Sequence, residues 1–362
     1  MAEQPISPDP RYRARPTIRV DGQANEAVTN RVTSFRALEH VGGMTSLELR
    51  FVAQADTDPN ERSAMPFEDE RALALGSQIA IYSGDERRPR EIFRGWVSAL
   101  EADFPEDGPL ELVVHAEDAL QKARLARRTK VYENLDVRAL AGDIARVLSL
   151  TPRVSGFTEP LGPYVQLNES DLAFLRRVLA RYDGDVQIVG DELHVSQRAD
   201  VRRDDVELVL RGQLRKARFI ADLAEQVTET TTSGWDFERG ERITARSTGL
   251  NLRPGSGRSG ASLLADKLAS RSEHIGHPVV TTQAEAQALV DSVFDQRARR
   301  FVRLQGTAEG NPRIRVGTHV HVRGVSPRFD NVYYVVFACH RFDMDRGYET
   351  EFEAECAYLG NP

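Results

Sequence analysis

His319 and His321 stand two residues apart in the stretch THVHVR, a spacing that offers two imidazoles to the same side of a strand. Such a pair can begin a zinc site, but the site closes only with a third and usually a fourth ligand. His274, His277 and His340 lie elsewhere without metal-ligand spacing, so the expectation is two partly exposed strand histidines and no metal. Carboxylates are the next candidates. Asp343 and Asp345 share a face, and Glu349, Glu351, Glu353 and Glu355 recur at every second position. General acid–base work needs two carboxylates in different environments. Four equivalent glutamates in a row describe instead a wet sheet face or a partner interface, and these four are candidate interface residues.

The remaining chemistry-bearing patterns are weaker. Gly255-Ser256-Gly257-Arg258-Ser259-Gly260 superficially resembles a phosphate loop but lacks the closing Gly-Lys-Ser/Thr, so a mobile linker over Leu252 to Ser262 is expected. Lys122, Arg124, Arg127, Arg128 and Lys130 form a basic run with only Tyr132 nearby to stack on a base. A solvated face is the first reading of this run, and a docking patch for an acidic neighbour the second. No G-x-S-x-G, P-loop, H-E-x-x-H or CxxC pattern occurs. No catalytic residue, metal site or cofactor is therefore assigned, and the expectation is a non-enzymatic protein.

The elements that would position these residues are mostly short strands. Leu47, Leu49 and Phe51 alternate with Glu48 and Arg50; Ile79 and Ile81, Phe93 to Val97 and Leu110 to His115 repeat the theme between Gly/Pro/Asp-rich breaks. That pattern predicts a barrel or sandwich. The period then changes. Val137, Leu140, Ile144, Val147 and Leu148 predict one helix. Ser170 is the expected N-cap of a second, with Phe174, Leu175, Val178, Leu179 and Tyr182 facing inward. Val186–Val189, Gly190-Asp191 and Leu193–Val195 predict a hairpin with a two-residue turn. Strands return after residue 205, interrupted by a helix over Ala284 to Ala298. The last strand should place Tyr348, Thr350, Phe352, Ala354, Cys356 and Tyr358 on one face and the four glutamates on the other.

At 362 residues the chain suits two or three packed units, and 40% hydrophobic with 28% charged residues is a globular balance. A net charge of -7 argues against general attraction to nucleic acid. Two cysteines, Cys339 and Cys356, are too few for a disulfide scaffold and fit a reduced compartment; the sequence does not decide whether they pair. No run of about 18 apolar residues predicts a spanning helix. Met1 to Arg15 carries three prolines and three arginines but no apolar core, so no secretory signal peptide is expected. Synthesis in the cytoplasm follows as the expectation, with any release by lysis or inside an assembled particle.

One segment is more specific than its pattern. Gln166, Asn168, Glu169, Ser170, Asp171, Phe174 and Leu175 resemble the Q-x-N-E-S-D-x-x-F-L signature of the phage late control D family. That family is similar to the hub-forming amino-terminal part of type VI secretion spike (VgrG-like) proteins. Other stretches resemble it in the same order: Ile92 to Val97 around Gly95, Asp118 to Asn134, the turn Gly234-Trp235-Asp236, then Gly317, Gly324, Tyr333 to Val336, His340 and Tyr348 to Phe352. The likeness runs from about residue 17 to residue 358.

The resemblance implies a mainly β fold with an α+β insertion: a flexible arm over 1–15, a first β-barrel over 16–134, an α+β helical region over 135–204 and a second β-barrel over 205–362. It implies a homotrimeric baseplate hub of a contractile phage-tail-like particle, where six similar barrels adapt a threefold spike to a sixfold tail tube. Implied partners are a separate spike or tip protein, the tail tube or its initiator, and baseplate wedge proteins; membrane insertion is not implied. Many relatives continue into a further barrel and a β-helical spike, whereas this sequence ends at Pro362, which favours a separate spike. The alternatives are a baseplate-associated cell-wall hydrolase, which needs a catalytic carboxylate or metal set in a cleft, and a carbohydrate-binding β module, which needs exposed aromatic clusters.

Overall fold

The computed structural model describes residues 15–52, 66–67, 70–83, 89–250 and 252–361. The arm expected over 1–15 lies outside the described residues except for Arg15. The amino-terminal part runs β1 (Thr17–Val20), β2 (Gln23–Ala24), α1 (Glu26–Arg31), β3 (Val32–His40), β4 (Ser46–Val52), β5 (Gln78–Tyr82), β6 (Glu91–Asp103) and β7 (Glu111–Glu117). The middle contains α2 (Lys122–Leu125), β8 (Arg127–Tyr132), α3 (Val137–Leu148), β9 (Thr151–Ser155), β10 (Tyr164–Ser170), α4 (Asp171–Ala180), β11 (Gly184–Val189) and β12 (Glu192–Gln197). After these come β13 (Asp205–Val209), β14 (Leu214–Ala221), β15 (Glu229–Asp236), β16 (Glu241–Ser247), β17 (Arg258–Ser259), α5 (Gly260–Lys267) and β18 (Ser272–Ile275). The chain closes with α6 (Gln283–Arg299), β19 (Val302–Glu309), β20 (His319–Arg323), β21 (Val332–Asp343), β22 (Gly347–Cys356) and β23 (Tyr358–Leu359).

The fold is mainly β, as the strand periodicity predicts. A 13-stranded sheet follows the order β14-β19-β22-β21-β3-β4-β7-β6-β5-β1-β2, with β20 pairing β21 and β13 pairing β20 off that path. The seam between the two ends of the chain is β21 against β3, antiparallel from Phe337↔His40 to Asp343↔Ser34. Alternate residues of these strands bury separate cores. Leu47, Leu49, Phe51, Ile79, Ile81 and Phe93 fill one, and Leu304, Val320, Val322, Tyr333, Val335 and Phe352 the other.

The α+β insertion has its own core, where the apolar stripe of α3 meets Phe174, Leu175, Val178 and Leu179 of α4 and the hairpin β11–β12. Ser170 caps α4 as expected, its hydroxyl accepting from Ala173 N–H at 3.3 Å. The hairpin closes over Gly190-Asp191 in the expected register, Val189 facing Glu192.

Two expectations are corrected. The Gly/Ser-rich stretch over Leu252 to Ser262 is no linker: Leu252 packs inward, β17 pairs with β23, and Ser259 caps α5, which composition did not reveal. Its glycines serve close approach. A Cβ on Gly255, at φ +101°, would sit 2.5 Å from Cys356 Sγ, and one on Gly257 would sit 2.3 Å from the Leu359 carbonyl oxygen. The last strand also stops earlier than its alternation suggests. Ala357 breaks it, and Tyr358 leaves β22 to pair with Ser259.

Candidate functional site

The four glutamates of β22 lie on one face, as alternation requires, but they are not equivalent. Glu349 is buried and held between Arg215 on β14 (2.5 Å) and Arg341 on β21 (2.6 Å). Arg341 also reaches Glu351 at 3.1 Å. Glu355 takes Arg198 from the insertion at 2.9 Å and Arg300 at 3.6 Å, whereas Glu353 is exposed and accepts from Gln305. The cations that meet these carboxylates come from the same chain. Lys216 and Arg218 of β14 line the groove beside Glu351 and Glu353, so the face is a mixed ladder rather than a single-sign field.

The two strand histidines are also engaged within the chain. His321 Nε2 lies 2.9 Å from Asp205 Oδ1, while His319 packs against the Tyr334 ring. Hydrogen bonding from Arg202, against some desolvation, holds the Asp205 carboxyl down at about 2. Burial lowers the His319 imidazole. Among the described residues no group of three His, Cys, Asp or Glu side chains stands where it could hold a metal ion. Asp343 and Asp345 are a turn and not an acid pair: Asp343 Oδ1 accepts from the N–H groups of Asp345 and Arg346. Cys339 and Cys356 are both buried free thiols, and burial pushes Cys356 up to about 12.

The signature segment is a scaffold for the strand it ends. Gln166 is fully buried; its amide donates to the Glu169 carbonyl and to Asp171 Oδ1, both at 3.0 Å. Asn168 sits at φ +50° in a bulge, its N–H on Thr129 Oγ1. Glu169 pairs with Arg177, and Asp171 pairs with Arg128. Phe174 is buried against Tyr132, ring centroids 5.2 Å apart, and Leu175 is buried in the insertion core. The other signature glycines mark contacts too tight for a side chain. A Cβ on Gly95 would meet the Glu117 carbonyl oxygen at 2.2 Å, and one on Gly234 the Val280 carbonyl oxygen at 2.3 Å. Trp235 is half exposed at the end of β15, and Asp236 caps the following turn through Glu238 and Arg239 N–H.

Sequence reasoning missed a buried polar junction. Arg198 stacks on Tyr334 at 4.3 Å while bonding Glu355; Arg299 pairs with Asp183, and Arg203 with Asp185 at 3.1 Å. Asp185 also accepts from Gly42 N–H at 2.7 Å, and Gln187 donates to the His40 carbonyl. The insertion is thereby bonded to strands from both ends of the chain, to β3 and its turn through Asp185 and Gln187 and to β22 through Arg198. Only isolated charges next to hydrophobic strand positions, such as Asp185 before Val186, could have hinted at it. Asp118 is a second missed group. Burial raises its carboxyl to about 6 although both oxygens accept backbone N–H groups, from Thr45 and Leu120.

A mainly β chain whose two ends share one sheet, with a small α+β insertion docked on it, has a fold similar to that of phage tail proteins. A 43 kDa tail protein of prophage MuSo2 from Shewanella oneidensis matches with a TM-score of 0.71 at 13% identity, over 94% of this chain and 97% of that one. A tail protein from Neisseria meningitidis MC58 matches with a TM-score of 0.66 at 12% identity, over 94% and 95%. An E. coli component of the type VI secretion system, itself similar in structure to bacteriophage T4 tail proteins, matches with a TM-score of 0.54 at 12% identity, over 95% and 77%. In sequence, the family model described as the Alg8 N-terminal domain matches residues 13–343, and the chain belongs to that family. No curated protein matches it in sequence.

Proposed function

We propose that this chain is the structural hub of a contractile phage-tail-like particle, a threefold body joining a spike to a sixfold tail tube. The observation that carries this reading is the end-to-end match in fold to tail proteins, together with a large sheet that unites both ends of the chain. The late control D signature adds to it, because its residues build the local scaffold around β10 and α4. In this reading the work is mechanical: the subunit holds the spike on one side and starts the tube on the other, while sheath subunits supply the energy. Spike, tube and wedge proteins of the same particle are the partners.

The test is assembly state. Native mass spectrometry of the full chain should give a trimer, and cryo-electron microscopy of purified particles should place three copies between spike and tube. Contacts between copies should bury on the order of 2,000 Å² or more, as obligate interfaces do. A monomer or a hexamer of this chain in the particle would end the hub reading.

A further inference from the structure

The signature segment leaves one feature of the surface unexplained. β8 and β10 form a two-stranded ribbon outside the large sheet, antiparallel, with Val131 opposite Val165. One face turns inward through Gln166 and Tyr132. The other presents Val131, Val165 and Leu167 to solvent, 67%, 48% and 69% exposed. The free edge of β8 makes no backbone hydrogen bond to another element among the described residues. Lysine and arginine alone would guard such an edge against unwanted pairing. Three outward aliphatic side chains beside it do the opposite, and paired apolar positions of this kind mark contact surfaces.

We propose that the outer face and free edge of this ribbon receive an extended, acidic segment of another protein of the particle, by strand addition. The inference rests on the hub reading above. Charge selects the occupant. β8 reads Arg-Arg-Thr-Lys-Val-Tyr, and Arg127 and Lys130 find no carboxylate partner among the described residues, whereas Arg128 is spent on Asp171. A second copy of β8 is disfavoured, because its own Arg127 and Lys130 would join the same ribbon. An acidic strand with alternate apolar residues satisfies the open N–H and C=O groups, the aliphatic face and the two cations that no carboxylate neutralises, Arg127, which rests on the Asn168 carbonyl, and Lys130, which lies over the Tyr132 ring. The ribbon is pre-organised for this: the bulge at Asn168, the buried Gln166 amide and the Glu169–Arg177 pair hold it without help from a partner.

The test is a photo-cross-linking amino acid at position 167 of the full chain, carried into purified particles. Products mapped by mass spectrometry should join position 167 to a different subunit, within an extended stretch of net negative charge. The pair Arg127→Glu and Lys130→Glu should cut that product at least tenfold while leaving the melting temperature of the free chain unchanged. A product with a second copy of this chain, a product with a non-acidic stretch, or no product from particles that contain the chain would overturn the ribbon proposal alone. Particles that lack the chain would overturn the hub reading and this inference with it.

Discussion

Phe342 on β21 stands directly opposite Phe35 on β3, their rings stacked with centroids 6.1 Å apart and planes 19° from parallel. Both side chains are buried, and the pair lies on the seam that makes one sheet of strands from opposite ends of the sequence. Phe342→Ala should therefore destabilise the whole chain by about 3–5 kcal/mol, the usual cost of removing a buried phenylalanine. Urea unfolding followed by far-UV circular dichroism and by Trp96 and Trp235 fluorescence should shift together. Loss of only one signal would show that the two ends unfold independently.

Leu175 is fully buried in the core that α3, α4 and the β11–β12 hairpin share. Leu175→Asp places an unpaired carboxylate there, a change costing several kcal/mol, and the variant should fail to accumulate as folded protein. Leu175→Ala, which only opens a cavity, should fold with a loss of about 2–5 kcal/mol. An Asp variant that melts like the parent would place this helix face at the surface.

The glutamate ladder predicts unequal costs for the same substitution. Glu349→Gln weakens a buried contact with two arginines and should cost about 2 kcal/mol or more, since it leaves charge poorly matched. Glu353 is exposed, and its hydrogen bond among the described residues is from Gln305, with no ion pair, so Glu353→Gln should change stability by less than about 0.5 kcal/mol. Denaturant midpoints of the two variants decide the matter; equal shifts would mean that the model of a graded ladder is wrong.

His340 is buried, its Nδ1 near the Tyr348 hydroxyl at 2.9 Å and the Thr350 hydroxyl at 3.2 Å. Burial, and then the Arg315 charge, push its imidazole down to about 3. Between about pH 6.5 and 3 the unfolded chain thus binds one proton that the folded chain refuses, so this residue's contribution to stability is intact above about 6.5 and falls as the pH drops. The slope is about 1.4 kcal/mol per pH unit for one proton. Asp118 runs the other way: its raised carboxyl stabilises the fold at low pH and loses that contribution as the pH climbs from its unfolded value of 3.8 towards 6. Stability against pH for His340→Gln should therefore decline less steeply below 6.5 than for the parent. An unchanged slope would mean that His340 takes up its proton in the folded state.

The sequence by itself determined the local elements, because hydrophobic period and caps act over a few residues. Ser170 and its helix, the Gly190-Asp191 hairpin, the two-faced last strand and the mainly β class all followed from spacing. It also carried the signature whose residues hold the β8–β10 ribbon. What it could not carry were relations between distant residues. Nothing in the alternation of β22 says that Glu349 meets Arg215 and Arg341 while Glu353 meets water, because burial depends on which strands lie alongside. Nothing in LRPGSGRSGAS says that its glycines exist to let a backbone lie on Cys356 and Leu359, since a close approach and a flexible linker ask for the same residue. The joining of Ser34–His40 to Phe337–Asp343 was likewise decided only in three dimensions: a strand's pattern fixes which face it buries, and leaves its neighbour open.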